Sequence, residues 1–440
     1  MTADLSDEQK YLIALAKSGE SFFFTGAAGT GKSTVMNEII AVLKANGRCI
    51  VTATTGIAAT KIAGTTVHSA FGVGQGNGSI EQLYGKVLGN KSARNTIATA
   101  DSWVVDETSM FGCDLFQKID LISRKVRTRN ATRPFGGLQF ILCGDFCQLG
   151  EIRRDTSSTA PLLFETAPWR DALQGREYKL TKIFRQKDPQ LIDLLGEIRR
   201  GCVSPASEEM LKYLARPLAM LDGISPVRLF SHNADAEAEN QRYLDQLAGD
   251  VHEFLARHSN SNPKVDASND DTMDKHCIAL KILRLKVGAS VMLIKNDMED
   301  RTLVNGSQGF VTRFDKASRM PYVKFHGARR EKLIRDATWN HENAQGVVLA
   351  SRTIVPLRLA AAISIHKSQG MTLNKVEVHG DKVFACGHFY VAISRATSLS
   401  GLRVASYNLS KIRADPRVLA FHDKIRSVSS LMQGDSTFPL

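Results

Sequence analysis

Gly26-Ala27-Ala28-Gly29-Thr30-Gly31-Lys32-Ser33 fits the pattern G-x-x-x-x-G-K-[ST]. Glycines in this pattern allow a tight loop whose backbone N–H groups cradle phosphates, while the lysine reaches the outer phosphates and the serine hydroxyl holds Mg²⁺. The flanks agree with it. Phe22-Phe23-Phe24 runs into the loop as a short apolar strand, and Val35, Ile39 and Leu43 then recur at helical spacing until Gly47 offers a stop. Strand, loop and helix in that order predict an α/β domain that binds a nucleoside triphosphate through Gly26, Ala27, Ala28, Gly29, Thr30, Gly31, Lys32, Ser33 and Thr34. A glycine-rich turn with a chance lysine would need the pattern and both flanks to coincide.

At 440 residues the chain is too long for one ordinary core, and the length suggests roughly two to four domains. Hydrophobic residues make up 43% of it, which suits a folded, soluble protein. No apolar run reaches the roughly 18 residues a membrane span needs. Asp4, Asp7 and Glu8 near the start speak against a signal or transit peptide. Seven cysteines without a C-x-x-C pair or zinc spacing predict reduced thiols in an intracellular protein, with Cys143 and Cys147 as packing residues. The compartment would be nucleus or mitochondrion in a eukaryote and cytoplasm in a bacterium or virus. Lys and Arg total 57 against 45 Asp and Glu, a net charge of +12, which points to an anionic polymer as partner. Basic residues cluster at Arg124, Lys125, Arg127, Arg129 and Arg133, and again at Arg329, Arg330, Lys332 and Arg335, although solvated faces are the ordinary explanation for such clusters.

Ile50-Val51-Thr52-Ala53, Ser102-Trp103-Val104-Val105 and Phe140-Ile141-Leu142-Cys143 follow the loop as short β-type runs with longer connections. That rhythm implies a parallel sheet. Gly72 to Ala98, rich in Gly, Asn, Lys and Ser, reads as a small excursion from it, too polar to be core. A second α/β unit is expected from about Arg176, with strands at Val227-Phe230, Val291-Ile294 and Ala360-Ile365 and a loop over 257–275. Short alternating runs between Phe310 and Val355 predict a small inserted β-barrel.

Asp106 and Glu107 end one β-run, where an α/β sheet presents its ligands. Asp106 is expected to hold Mg²⁺ with Ser33, and Glu107 to polarise the attacking water, since phosphoryl transfer needs positioning and charge neutralisation. Gln148 in Gly144-Asp145-Phe146-Cys147-Gln148 follows the next strand and suits a γ-phosphate sensor or a polar loop cap.

These stretches appear in order with Leu5-Ser6-Asp7-Glu8-Gln9, Thr55-Gly56-Ile57-Ala58-Ala59, Phe184-Arg185-Gln186, Ile365-His366-Lys367-Ser368-Gln369-Gly370-Met371-Thr372 and Tyr390-Val391-Ala392-Ile393-Ser394-Arg395-Ala396. Together they resemble the motifs of superfamily-one helicases. Asp114 to Arg127 is similar to the signature segment of the petite-integration-frequency (Pif-type) branch. The resemblance implies two RecA-like parallel-sheet domains, 1–175 and 176–309 with 356–440, a wedge inserted at about 72–98 and an SH3-like β-barrel at 310–355. It implies an ATP-driven DNA helicase moving 5′ to 3′ on single-stranded DNA. Sequence-tolerant partners at duplex junctions, possible substrates in G-quadruplexes and RNA–DNA hybrids, and action as a monomer are further expectations. By motif, Gln9 reads adenine, Gly370 joins the ATP site, and Arg185 and Arg395 act as arginine fingers from the second domain. Thr54, Thr55, Gly56, Thr66, His68, Ser69, Phe71, His366, Lys367 and Ser368 match segments facing DNA, where small hydroxyls suit phosphates and rings suit base stacking.

Thr54, Gly150-Glu151 and Ala361 depart from residues common in that family and put local loop geometry in question. Three rivals remain at this stage. A RecD-like helicase subunit would lack the signature segment, a non-catalytic nucleic-acid scaffold would lack the catalytic set, and a small-molecule kinase would lack a second sheet.

Overall fold

Phe22, Phe23 and Phe24 are all fully buried, as a strand covered on both faces requires. Alternation sends Phe23 into one core with Trp103, Phe140 and Trp169, while Phe22 and Phe24 enter another with Ile39, Leu43 and Tyr178. The computed structural model describes residues 5–151, 160–218, 225–260, 277, 279–295, 297, 300, 303, 306–342 and 348–434. It divides into two units, the first comprising Met1–Cys202, Ala385–Tyr390 and Ile412–Leu440, the second Val203–Phe384 and Val391–Lys411.

In the first unit, strands β1 (Phe22–Gly26), β2 (Cys49–Ala53), β3 (Thr65–Thr66), β4 (Ser102–Asp106), β5 (Gln139–Cys143) and β6 (Glu177–Leu180) join the short strand Arg426–Ser427. They form one seven-stranded sheet in the order 426–427, β6, β1, β5, β4, β2, β3. Every ladder in it is parallel. Helix α1 (Asp7–Lys17) and α2 (Lys32–Asn46) cover one face. α2 starts directly after Gly31, whose φ of 79° suits glycine, and ends where Gly47 donates to the Leu43 carbonyl.

Two sequence expectations change here. β6 pairs with β1, so the first unit runs through Cys202 instead of stopping at 175, and residues 412–434 return to it instead of staying in the second. The physical reason is that strand pairing at a sheet edge is non-local: Glu177–Leu180 completes the hydrogen bonds of β1. The excursion over 72–98 is also more than a polar insert. Helices α5 (Ile80–Gly89) and α6 (Lys91–Thr99) follow the short α3 (Gly56–Lys61) and α4 (Val67–Ala70), and they bury Leu83, Val87 and Ile97 completely in the core beside Phe71 and Trp103. α7 (Cys113–Val126), the signature helix, packs against both. Arg127 there donates to the carbonyls of Ile97, Ala100 and Gly136, so this basic residue is a structural staple, while Arg129 and Arg133 stay exposed.

The second unit holds a four-stranded parallel sheet, β18 (Ala362–Ser364), β7 (Val227–Phe230), β19 (Val376–Gly380) and β20 (Leu402–Tyr407), in that order. An antiparallel module accompanies it, and it is larger than 310–355. Its ladders are β8 (His252–Leu255) with β10 (Ile282–Leu285); β9 (Arg257–Asn260) with β16 (Val348–Ile354) and β15 (Ala337–Glu342); and a five-stranded sheet of β14 (Lys332–Leu333), β13 (Pro321–Phe325), β12 (Gln308–Phe314), β11 (Ser290–Leu293) and β17 (Leu357–Leu359). Leu285, Val291, Val311, Val323 and Val355 share its core. Val291–Ile294, expected in the α/β sheet, therefore belongs to this module, because β11 pairs antiparallel with β12 and β17. Of the loop expected over 257–275, residues 257–260 are strand β9 and the rest lie outside the described residues. Among the described residues no helix is long and apolar enough to cross a membrane.

Candidate functional site

Parallel strands bring their carboxyl ends to one edge, and in the first unit that edge carries the candidate chemistry. The phosphate loop follows β1, Thr54 follows β2, Asp106 and Glu107 close β4, Gly144 to Gln148 follow β5, and Phe184 to Gln186 follow β6. Gly29 and Gly31 both have positive φ, 91° and 79°. A side chain at Gly29 would meet Arg185 and Gln186 at 2.7 and 2.6 Å, and one at Gly31 would meet the Gln9 amide at 2.5 Å. Glycine is thus required twice, for conformation and for close approach. The Gly29 carbonyl accepts the N–H groups of Phe184 at 2.8 Å and Arg185 at 3.3 Å. Arg185, expected from the second domain, therefore sits on the phosphate loop of the first. Burial pushes its guanidinium pKa down, with Tyr390 opposing.

Lys32 Nζ donates to the carbonyls of Gly26 at 2.8 Å and Ala27 at 3.1 Å. Asp106 is buried and its carboxyl is pushed up, first by burial and then by Glu107. Glu107 adopts φ 54° and ψ 44°, a left-handed conformation rare for a non-glycine residue. Its N–H donates to Asp106 Oδ1 at 2.9 Å, and its carbonyl accepts from the Thr54 hydroxyl at 2.9 Å and the Met110 N–H at 3.1 Å, which hold it there. The exposed Ser33 hydroxyl and the Asp106 carboxylate are hard oxygen donors of the kind Mg²⁺ takes.

Gln148 is buried, and its amide nitrogen donates to Asp145 Oδ2 at 3.3 Å. Sequence reasoning passed over what surrounds it. Arg199, at the end of α9 (Pro189–Arg199; α8 is Ala167–Leu173), donates to Asp145 Oδ1 at 2.7 Å and Oδ2 at 3.3 Å. His422 of the helix Pro416–Lys424 places Nε2 3.6 Å from the same carboxylate. Burial alone would raise the Asp145 pKa, yet Arg199, Lys32 and His422 hold it well below the usual carboxylate range. Asp145, Cys147 and His422 have ligand atoms within 4.8 Å of one another, but a guanidinium already fixed on the carboxylate makes this an ion-pair hub instead of a seat for a dication. Tyr390 is buried nearby, and its hydroxyl accepts the Ala28 N–H at 2.9 Å. Glu8 accepts from the backbone N–H and hydroxyl of Thr181 and from the Ser429 hydroxyl, tying the first helix to the end of β6 and to the C-terminal segment.

Burial pushes the His422 imidazole down from 6.5 to about 4; Asp145 opposes the shift, and Arg199, Lys179 and Lys32 add to it. Unfolding then takes up a proton between those values, so this residue's contribution is complete above about pH 6.5 and falls as pH drops through the window. The expected loss between about pH 8 and about pH 5 is roughly 2 kcal/mol, read by denaturant unfolding as the difference between the intact chain and His422→Gln. Identical pH dependence of the two would contradict it.

The residues expected to face DNA divide. Thr55 and Thr66 hydroxyls accept the N–H groups of Ala58 and Ser69 as helix caps. Gly56 and Ser69 are exposed, and His68 is half-buried. Phe71 is a correction: it is fully buried with its ring 4.5 Å from that of Trp103, so it is core and cannot stack on a base. In the second unit, His366 and Lys367 are partly buried, Ser368 is buried, and His366 lies 5.9 Å from Phe384. Phe384, 52% exposed, is in turn 5.1 Å from His232. Neither Phe384 nor His232 carried a sequence signal. Gly370 has φ 73° in the same loop. Arg395 is buried, and its guanidinium donates to the carbonyls of Val391 and Met371 and to the Ser394 hydroxyl, all within its own unit.

The family model described as "PIF1-like helicase" matches residues 4–203, and that for the "DNA helicase Pif1, 2B domain" matches residues 270–314. The chain is 40% identical over 428 residues to the ATP-dependent DNA helicase PIF1 of Homo sapiens, covering 97% of itself and 65% of that protein. It is 32% identical over 541 residues to the PIF1 helicase of Saccharomyces cerevisiae, covering 97% of itself and 62% of that protein. It thus spans less than two thirds of these relatives. The crystal structure of the Pif1 helicase from Candida albicans superposes with a TM-score of 0.85 at 37% identity, covering 95% of this chain and 99% of that one. A Bacteroides Pif1 structure in complex with ADP-AlF3 and ssDNA gives a TM-score of 0.68 at 26% identity, covering 98% of each chain.

Proposed function

This chain belongs to the PIF1-like helicase family, and from that premise we propose that it is an ATP-hydrolysing DNA helicase that moves 5′ to 3′ on single-stranded DNA. The observation that carries the proposal is the convergence of Lys32, Asp106, Glu107, Gln148 and Arg185 at the carboxyl edge of one parallel sheet. Lys32 exchanges its two loop carbonyls for the outer phosphates. Glu107 orients the attacking water, Gln148 reports the γ-phosphate, and Arg185 supplies fixed positive charge against the charge that develops on transfer. Ser33 and Asp106 would hold Mg²⁺, which neutralises phosphate charge when bound. Gln9 reads adenine in this proposal, supported by its amide nitrogen lying against Gly31 while its Oε1 accepts the Ser6 N–H.

For DNA, Thr54, Gly56, Ser69, His68, Lys367 and His366 make phosphate and base contacts, and Phe384 and His232 add stacking surface. Thr54 is the link that suits a motor, because its hydroxyl holds the backbone of Glu107. The α5–α6 pair serves as the strand-separating element, with Leu83, Val87 and Ile97 anchoring it. Among related structures, a Bacteroides Pif1 is bound to ssDNA, and another concerns DNA unwinding at forked dsDNA by two coordinating Pif1 helicases. We infer that one copy of this chain suffices for translocation, inside the cell in a compartment set by its source.

ATP turnover with and without single-stranded DNA tests the reading. Turnover should rise severalfold with oligo-dT, and binding should weaken with salt at a log-log slope of about −3 to −4 if roughly five phosphates are neutralised. Turnover indifferent to DNA, or binding indifferent to salt, would contradict it. G-quadruplex and RNA–DNA hybrid substrates extend the same assay.

A further inference from the structure

We propose that Arg199 and His422, which belong to none of the motifs above, are positioning residues for Gln148, acting through the buried carboxylate of Asp145. The proposal rests on the ATPase reading and names how its sensor is oriented. Asp145 is 1% exposed and lies at the centre of a small closed system. Its carbonyl accepts the Gln148 N–H at 2.9 Å, Oδ1 accepts the Cys147 N–H at 3.1 Å, and Oδ2 accepts the Gln148 side-chain amide at 3.3 Å. An ionised carboxylate can only accept, so the nitrogen of that amide must face it. The carbonyl oxygen of Gln148 is then turned away from the carboxylate in a fixed sense.

That orientation holds only while Asp145 stays ionised. A fully buried carboxylate remains charged when it is paired and protonates when it is not. Arg199 supplies the pair with two bonds from α9, and the His422 ring covers the carboxylate from the C-terminal helix. Once protonated, Asp145 could donate to the Gln148 carbonyl oxygen, and the amide would lose its preferred sense. His422 is itself informative. Neither ring nitrogen has a hydrogen-bond partner among the described residues although the residue is 3% exposed, an arrangement that costs stability and that an apolar space-filler would avoid. The neighbouring backbone is clamped as well: a side chain at Gly387, φ 72°, would collide with the carbonyl oxygens of Cys147 and Gln148.

The test is steady-state ATP hydrolysis by the full chain with saturating oligo-dT, with thermal melting of each variant in parallel. Arg199→Met should lower kcat about 10- to 100-fold, with the KM for ATP within about threefold, and Arg199→Lys should recover most of the loss. In a Gln148→Ala background, Arg199→Met should cost less than about twofold further, because residues acting through one group are non-additive. A loss of equal size in both backgrounds, or an Arg199→Lys variant as slow as Arg199→Met, would overturn the proposal. Where Arg199→Met does not fold, His422→Gln decides: about a 3- to 10-fold fall in kcat in the intact chain and none beyond Gln148→Ala supports positioning, and additivity refutes it. Absence of ATP turnover in the unsubstituted chain, by contrast, would remove the ATPase reading itself.

Discussion

Lys32→Ala should reduce ATP turnover by about 10³-fold or more, the scale expected when a preorganised charge on the transferring phosphate is deleted. The loop geometry supports so large an effect. Gly29 and Gly31 bring backbone and side chains of Arg185, Gln186 and Gln9 close around the loop, and Lys32 is the residue whose ammonium already reaches its inner carbonyls, Gly26 and Ala27. Alanine keeps the helix, since Lys32 opens α2 and the anchoring side chains Val35, Met36 and Ile39 are untouched. The two carbonyls lose one donor each, at about 1 kcal/mol apiece in a half-buried place, so the variant should fold. Single-stranded DNA binding should survive, because the residues proposed to contact DNA lie after β2, in α4 and in the second unit. Turnover within about tenfold of the intact chain would refute the assignment of the site.

Glu107→Gln should bind ATP with little change and hydrolyse it at least about 100-fold more slowly. Glutamine is nearly isosteric and retains the backbone N–H that Asp106 accepts and the carbonyl that Thr54 holds. The left-handed turn at φ 54° therefore persists, and what disappears is the negative charge that orients and polarises water. The contrast with Lys32→Ala is diagnostic, since one variant loses the phosphate grip and the other keeps it. A fluorescent ATP analogue measures binding and phosphate release measures chemistry. Parallel losses of binding and turnover would assign Glu107 to the nucleotide seat instead.

What could be read from sequence was what local chemistry specifies. The phosphate loop, the Asp106–Glu107 pair and Gln148 depend on residues within a few positions of one another, and each lies where the sheet edge puts it. Arg185 is legible in sequence as a candidate site residue but not as a member of the first unit, because its side of the sheet is decided by β6 pairing with β1, a contact between distant segments. The α5–α6 pair was hidden by its polar outer faces, although Ser79 and Gln82 form a capping box and Leu83 and Val87 repeat at helical spacing. Phe71 shows the opposite error. A segment that resembles a DNA-facing one contains one ring aimed at Trp103, and no pattern in four residues distinguishes an inward from an outward aromatic. Arg199 and His422 were invisible for the same reason as β6: the carboxylate they meet belongs to another part of the chain.

Strand displacement on duplexes carrying a single-stranded tail at only one end tests the central claim most directly. With ATP and Mg²⁺, the unsubstituted chain should unwind the 5′-tailed duplex and leave the 3′-tailed one intact, and Glu107→Gln should unwind neither. Unwinding of the 3′-tailed substrate alone, or of neither by a chain that hydrolyses ATP, would contradict a 5′-to-3′ helicase.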